Sequence, residues 1–577
     1  MHLVSGANPA FGLNTLGGVL SIHTKSGFAF PGEALRLSTG SFGRQLVEGE
    51  TGGHGERTDY FAALRAQDER GWREHAASRL RQGFLKAGWQ DARTDLDISL
   101  ALADNALQGT QTLPLSMLGE PRRAYTWPDR TDNQLGFLTV RASRFVTQDV
   151  LLSGSVYARD LQQDAVASNV NAEPGPPAFN DRNSLAQRSA GALLQAVITR
   201  RSGGISHELT VGAALEGAST DFVQQRQSAA LSAERETLAL APFAEIGHVG
   251  AQNGARGLYV IEQLAPSSSW TFSLSGRYNV ATVRLRDRSG LRPALDGDHV
   301  FRRFNPALGA AWNPNAALTV FASLSQGMRV PSPAELTCAD PSAPCTLPNQ
   351  FLADPALSPV IARTSEAGVR LRAARDAQLS AAVYRTVVAN DIQFVSSAGA
   401  VNAGFFQNTG STLRQGFELA YRIRREPLSL NAAYSYMQAQ YLGSFRMPSP
   451  NNSSRDAADE ITVQRGNAIP GIPRSQAKLR VDWSFAARAS LGFGWSWFDR
   501  QYARGDENNH DVHGPLPPYS VAQFFARYEP RRDWQLSLKV DNLFDRRYAS
   551  YGVLGRNLFT GPGQTFDPAQ ATSEQFV

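Results

Sequence analysis

A two-residue hydrophobic rhythm runs through this chain and constrains its fold more than any other feature. Trp534, Leu536, Leu538 and Val540 alternate with Gln535, Ser537, Lys539 and Asp541. Leu96, Ile98, Leu100 and Leu102 alternate with Asp95, Asp97, Ser99 and Ala101, and Ala477, Leu479, Val481 and Trp483 with Lys478, Arg480 and Asp482. Leu318, Val320, Ala322 and Leu324 keep the same rhythm. Successive side chains of a strand point to opposite faces. Each run of about 8–12 residues therefore reads as a strand with one apolar and one polar face. Helical spacing is hard to find. So many two-faced strands suit a barrel with lipid outside and water or a plug inside.

The connections carry a second signal, because short and long ones alternate. Short turns fall at Asn313–Asn315, Arg372–Asp376, Arg425–Pro427 and Arg531–Asp533. Long, Pro-, Gly-, Asn- and Asp-rich connections fall near 105–131, 161–187, 218–254, 328–363, 441–472 and 503–516. Short turns on one side and long loops on the other are the outer-membrane arrangement. The pattern gives 21 strands, from 33–41 to 533–548, with strands at 376–396 and 404–424 among them. Residues 235–248 also look strand-like, but a spanning strand there would reverse the sidedness of every later loop. They are assigned to a long surface loop with a hairpin. Single-chain bacterial barrels carry an even number of strands. The expected fold is thus an all-β, transmembrane antiparallel barrel of 22-strand type, its last strand lacking and TSEQFV ending in a loop.

Composition excludes other classes. No apolar run approaches the ~18 residues of a spanning helix. A mean hydropathy of −0.30 is compatible with barrel strands, which show lipid only every second side chain. The net charge of +5 is spread along the chain rather than clustered, so no nucleic-acid partner is expected. No nucleophile elbow, phosphate loop or paired carboxylates stand out, so neither an enzyme nor a cofactor is expected.

Two segments carry a family resemblance. Residues 8–27, NPAFGLNTLGGVLSIHTKSG, place Asn14, Gly17 and Gly18 in a tight turn before a strand of Val19, Leu20 and Ile22. Residues 541–551, DNLFDRRYASY, set out Asn542, Leu543, Phe544, Asp545 and Tyr548. The first resembles the end of the plug domain of TonB-dependent receptors, the second their penultimate barrel strand. A weaker likeness is Gly327–Pro331 with Glu335–Leu336. The resemblance implies a plug end over 1–30 and a barrel over 31–577. It also implies a monomer in the outer membrane of a Gram-negative bacterium, energised by TonB with ExbB and ExbD. The ligand implied is an extracellular small molecule, a ferric siderophore first, with haem, cobalamin or carbohydrate still open. A passive porin-like pore is the rival. Signal peptide, TonB-box and most of the plug are expected to lie outside this sequence, and the chain as it stands is not expected to couple to TonB.

Candidate ligand contacts are Trp72, Arg73, Arg122, Arg123, Tyr125 and Trp127, with Asp129 beside them, in two loops on the outer side. Arginine and aromatic groups there suit an anionic, partly aromatic chelate; ordinary loop chemistry is the alternative. Arg329 is a further candidate, or the partner of Glu335 in a structural ion pair. Cys338 and Cys345, with Pro341 and Pro344 between them, read as a disulfide clamping an outer loop in an oxidising compartment. No His lies in 329–363, which weakens the haem alternative. His510 and His513 with Asp506, Glu507 and Asp511 have spacing that could hold a metal. They are read as a solvated polar loop, and no metal site is expected.

Overall fold

The computed structural model describes residues 2–6, 12–109, 111–291, 293–336, 345–346, 357–396 and 403–577. Its main sheet is a barrel of 22 strands in order; one of these is the three-residue Thr237–Ala239, which leaves 21 of spanning character. They run in chain sequence from Gly32–Thr39 to Trp534–Val540, every consecutive pair antiparallel. The barrel order sets the first and last strands side by side. Those two run in the same sense, and no residue register joins them among the described residues.

The outward faces show the solvent they are built for. Leu64, Leu102, Leu138, Leu258, Leu308 and Leu324 are exposed on the strands, an apolar band that only lipid would cover without cost. Next to the short turns stand Trp89, Phe145, Trp270, Trp312, Trp483 and Trp534, also exposed. This is an aromatic girdle at one bilayer boundary, with Trp270 and Trp312 stacked at 5.9 Å.

The alternation of short turns and long loops holds along the whole barrel, but two long loops are shorter than expected. Val150–Val170 pairs with Ala178–Ser202 as far as Val170 and Ala178, so the connection shrinks from 161–187 to 171–177. Ile205–Leu231 pairs with Ala244–Ser267 from Arg226 and Ala244 onward. Residues 235–248 are therefore part hairpin, at Thr237–Ala239, and part barrel strand from Ala244. These extensions escaped the sequence reading because they lack an apolar face. Above the membrane they are held by cross-strand pairs such as Arg182–Asp164 at 2.5 Å and Arg226–Asp181 at 2.7 Å.

Four further expectations are corrected. The strand assigned to 376–396 stops at Ala389, where Asn390 takes a positive φ of 55°, and Ile392–Ser396 joins a small sheet with Ala403–Asn408 and Cys345–Thr346. The strand assigned to 404–424 likewise begins in the barrel only at Thr412. The last strand ends at Val540 rather than 548. Asn542 and Asp545 adopt φ of 50° and 47°, the left-handed conformation those side chains tolerate, and the Arg546 N–H donates to Asn542 Oδ1 at 3.0 Å. Asn542–Asp545 is thus a turn, with Phe544 exposed and Tyr548 stacked on Tyr519 at 4.5 Å. Finally, Thr572–Phe576 is a strand paired with Val553–Asn557, not a loop.

The N-terminal segment connects the two ends of the barrel wall. Gly18–Ser21 pairs with His2–Ser5. Asn14, at φ 65°, donates its N–H to Met328 O and accepts from the Val330 N–H through Oδ1. Farther on, the Gly27 N–H donates to Asp59 Oδ2 at 2.6 Å and Lys25 pairs with Glu50. Met328 ends a strand beside a long loop, whereas Asp59 lies beside the short turn 55–57.

Candidate functional site

Most of the predicted ligand residues meet in one loop assembly on the outer side. Arg73 Nη1 donates to Gln111 O at 2.8 Å and Nη2 to Arg123 O at 2.9 Å. Arg122 Nε donates to Trp72 O at 2.9 Å, and Arg123 pairs with Glu120. Trp127 stacks on His75 at 4.0 Å and its indole N–H donates to Glu234 O. The arginines thus spend donors on loop carbonyls and fasten loop 70–77 to loop 109–129. The Trp72 ring and the Arg122 side chain remain exposed.

Tyr125 is buried, at 1% exposure, in a small apolar core with Leu113, Met117, Val170, Leu558, Phe559 and Phe576. Its ring meets Phe559 and Phe576 edge-on at 4.9 and 5.3 Å, and its hydroxyl accepts the Leu558 N–H at 3.1 Å. Burial pushes that hydroxyl's pKa well up. The C-terminal hairpin is thereby pinned to loop 109–129, and Leu113 and Val577 exchange both backbone hydrogen bonds. Beneath lies Arg235, fully buried, its guanidinium 4.5 Å from the Phe559 ring and Nη2 donating to Gln564 Oε1. Burial, then the neighbouring Arg123, lowers its pKa to about 10. Asp129 Oδ1 accepts from the Ser168 N–H and hydroxyl at 2.7 and 2.9 Å, and burial raises its carboxyl to about 6. The sequence offered no signal for Arg235 or Phe559, whose partners lie hundreds of residues away.

Arg329 sits apart from this assembly. Its Nη1 donates to Glu335 Oε2 at 2.6 Å, and the same oxygen accepts from the Ser332 N–H and hydroxyl. Ser332 Oγ in turn accepts the Glu335 N–H, so Ser332 and Glu335 cap the short helix Pro333–Leu336, whose Leu336 is buried with Leu285, Leu295 and Val360 and with Leu16 of the N-terminal segment. Cys338 lies outside the described residues, and with it the disulfide; Cys345 lies in a two-residue strand paired with Gly404.

A second loop assembly joins 442–474 to 499–518. Here the expectation of a solvated polar loop fails. Asp506 and Glu507 are 0% and 6% exposed, and Asp511 is also buried. Asp511 accepts from the Ser453 N–H and hydroxyl and pairs with His513 at 2.7 Å. Asp506 Oδ1 accepts from the His510 and Asp511 N–H groups, and Glu507 Oε1 from the Gly505 N–H. Burial raises the two carboxyls to about 6 and about 7. Among the described residues no group of three His, Cys, Asp or Glu side chains converges as a metal site.

Residues 71–543 match the family model described as TonB dependent receptor-like, beta-barrel. The metal-pseudopaline receptor CntO of Pseudomonas aeruginosa is 23% identical, the alignment covering 97% of this chain and 77% of that protein. In structure, the ferric-catecholate import receptor Fiu of E. coli K12 superposes with a TM-score of 0.78 at 13% identity, over 99% of this chain and 84% of that one. The siderophore receptor PiuA of Acinetobacter baumannii gives 0.78 at 15%, over 100% and 84%. With its lipid-facing band, its aromatic girdle beside the short turns and its long outer loops, the chain belongs to the TonB-dependent receptors, outer-membrane β-barrels of Gram-negative bacteria.

Proposed function

We propose that the protein takes up a metal chelate, a ferric siderophore in the first instance, across the outer membrane in a TonB-energised step. The observation that carries the reading is the N-terminal segment, tied to Met328 and Val330 near the outer rim and to Asp59 and Glu50 near the short turns. A diffusion pore has no use for a segment fastened to both ends of its wall. In this reading residues 1–30 are the end of a plug and 31–577 the barrel. TonB, with ExbB and ExbD, pulls on the plug, and the chelate binds from outside as the receptor works as a monomer. The names of the relatives support a chelated metal: one is a metal-pseudopaline receptor, others siderophore receptors. Exposed Trp72 and Arg122 beside the outer mouth suit an anionic chelate with aromatic parts.

The test is uptake of radiolabelled iron by cells that carry or lack the gene, over a panel of catecholate, hydroxamate and carboxylate siderophores. Gene-dependent uptake of one class, abolished by deleting TonB, supports the proposal. Uptake that persists without TonB, or gene-independent uptake across the whole panel, refutes it.

A further inference from the structure

We infer that four arginines on the lipid-facing wall, Arg256, Arg302, Arg363 and Arg385, dock a phosphate-bearing lipid of the outer leaflet whose acyl chains lie in the groove beneath them. The inference rests on the membrane barrel and not on the uptake reading. Strand alternation turns all four outward. Arg256 is in register with exposed Leu215, and Arg302 lies between exposed Val300 and Phe304. Arg363 is in register with Gln326, two residues along from exposed Leu324, and Arg385 is two residues from exposed Val383. The four arginines are themselves exposed. Arg256 and Arg363 each stand about a dozen residues above the neighbouring short turn. A tilted strand climbs about 2.5 Å per residue, which sets them about 30 Å up, at the upper edge of the hydrocarbon layer.

The chain itself leaves their charge unmatched. Elsewhere on the outer wall arginines are neutralised by cross-strand carboxylates: Arg81 by Asp68, Arg188 by Asp160, Arg182 by Asp164 and Arg286 by Asp298. None of the four pairs with a carboxylate among the described residues, and Arg363 donates to the neutral Gln326 Oε1. A charge at the edge of lipid is retained where an anion offsets it, and the guanidinium fork matches phosphate oxygens two at a time. Arg363 and Arg385 are diagonal neighbours on adjacent strands, within reach of one phosphate. Arg256 and Arg302 flank Val280 in one register row, about 10 Å apart, and serve a second. Arg385 also lines the upper end of an apolar groove of about 840 Å³ walled by Leu274, Leu308, Leu324 and Val383. Its floor of Ala310, Ala322 and Ala367 continues into a second groove that descends to Trp312 of the girdle. Together they offer a lipid a charged seat for its headgroup and an apolar trough for its chains. A second copy of the protein seated here would set the same arginines against themselves across a two-fold axis, so lipid is the occupant the charge favours.

The test uses the full-length receptor in detergent, titrated with diphosphoryl lipid A, its dephosphorylated form and dioleoylphosphatidylcholine, with bound lipid counted by native mass spectrometry. Saturable binding of diphosphoryl lipid A is expected, tighter than either of the other two by about tenfold or more. At about fivefold per arginine, the double variant Arg363→Gln, Arg385→Gln is expected to weaken it about thirtyfold. Arg363→Lys, Arg385→Lys keeps the charge and most of the affinity. Arg144→Gln, Arg425→Gln removes outward arginines beside the short turns and is expected to change nothing. If the glutamine variant at 363 and 385 fails to insert, the phosphorylated and dephosphorylated lipids on the unaltered receptor still decide. Equal binding of those two lipids overturns the inference, as does an equal loss in the variant at 144 and 425. Inorganic phosphate that displaces the lipid at equal concentration makes this a free-anion site and overturns it too. So does disulfide cross-linking of two receptors through Val383→Cys, because a second copy then covers the groove.

Discussion

Replacing Tyr125 by Phe removes one oxygen from the core that pins the C-terminal hairpin. In the folded protein that oxygen accepts the Leu558 N–H at 3.1 Å, at a position 1% exposed. Without it the N–H stays buried and unpaired, at a cost of about 1–3 kcal/mol. Each 1.4 kcal/mol is a factor of ten, so local opening of the hairpin rises about 5- to 150-fold. Tyr125→Ala also removes the edge-on contacts to Phe559 and Phe576 and raises the cost to about 3–5 kcal/mol. The barrel is held by other bonds, so its global unfolding midpoint should not move. Hydrogen exchange by mass spectrometry on the receptor in detergent reads the difference: faster exchange in peptides over 553–577 and 113–118, with none over the strands. If Tyr125→Phe leaves 553–577 unchanged, or lowers the midpoint of the barrel instead, the hairpin is not held by this core and the reasoning fails.

Asp129 gives a pH dependence. Its carboxyl is raised from 3.8 to about 6 by burial, which outweighs the Ser168 hydrogen bonds that favour the charged form, so the folded loop that buries it is most stable below pH 3.8 and loses that stability as pH rises through 6. Exchange of the 166–170 segment should quicken across that window and be flat in Asp129→Asn; a slope of opposite sign, or one retained in the variant, refutes this. Arg329→Met breaks the ion pair with Glu335 at a cost of about 1.5–3 kcal/mol. It should loosen 330–336 while leaving chelate affinity unchanged, whereas a loss of affinity with an intact loop would make Arg329 a ligand contact. Leu308, 50% exposed on the apolar band, should cost about 2–4 kcal/mol as Leu308→Arg in bilayer refolding titrations. A cost near zero would place that strand face in water.

The site was less legible than the barrel, for reasons that particular residues show. Trp72, Arg73, Arg122, Arg123, Tyr125 and Trp127 were singled out by residue type and loop position, and the structure does bring them together. Residue type could not reveal that the Arg73 guanidinium is spent on the carbonyls of Gln111 and Arg123. Nor could it reveal that Tyr125 points into a core completed by Phe559 and Phe576. Asp506 and Glu507 read as solvated because a run of polar residues in a loop normally is; they are buried because loop 442–474 folds over them.

The sequence by itself determined the barrel, its sidedness and the order of its strands. Alternation is a local property, set by successive side chains on opposite faces of each strand, and lipid rewards one face of it wherever it occurs. Antiparallel neighbours joined by short turns then leave little choice of topology. Only the tertiary structure decided how far the strands rise above the membrane, because Asp160–Asp164 and Gln224–Arg226 have no apolar face and are held by partners such as Arg182 and Asp181. It alone decided that Asn542–Asp545 turns rather than continues, and which loops close on which. Those contacts join residues as far apart as Tyr125 and Leu558, and a contact of that separation leaves no periodic trace in either segment.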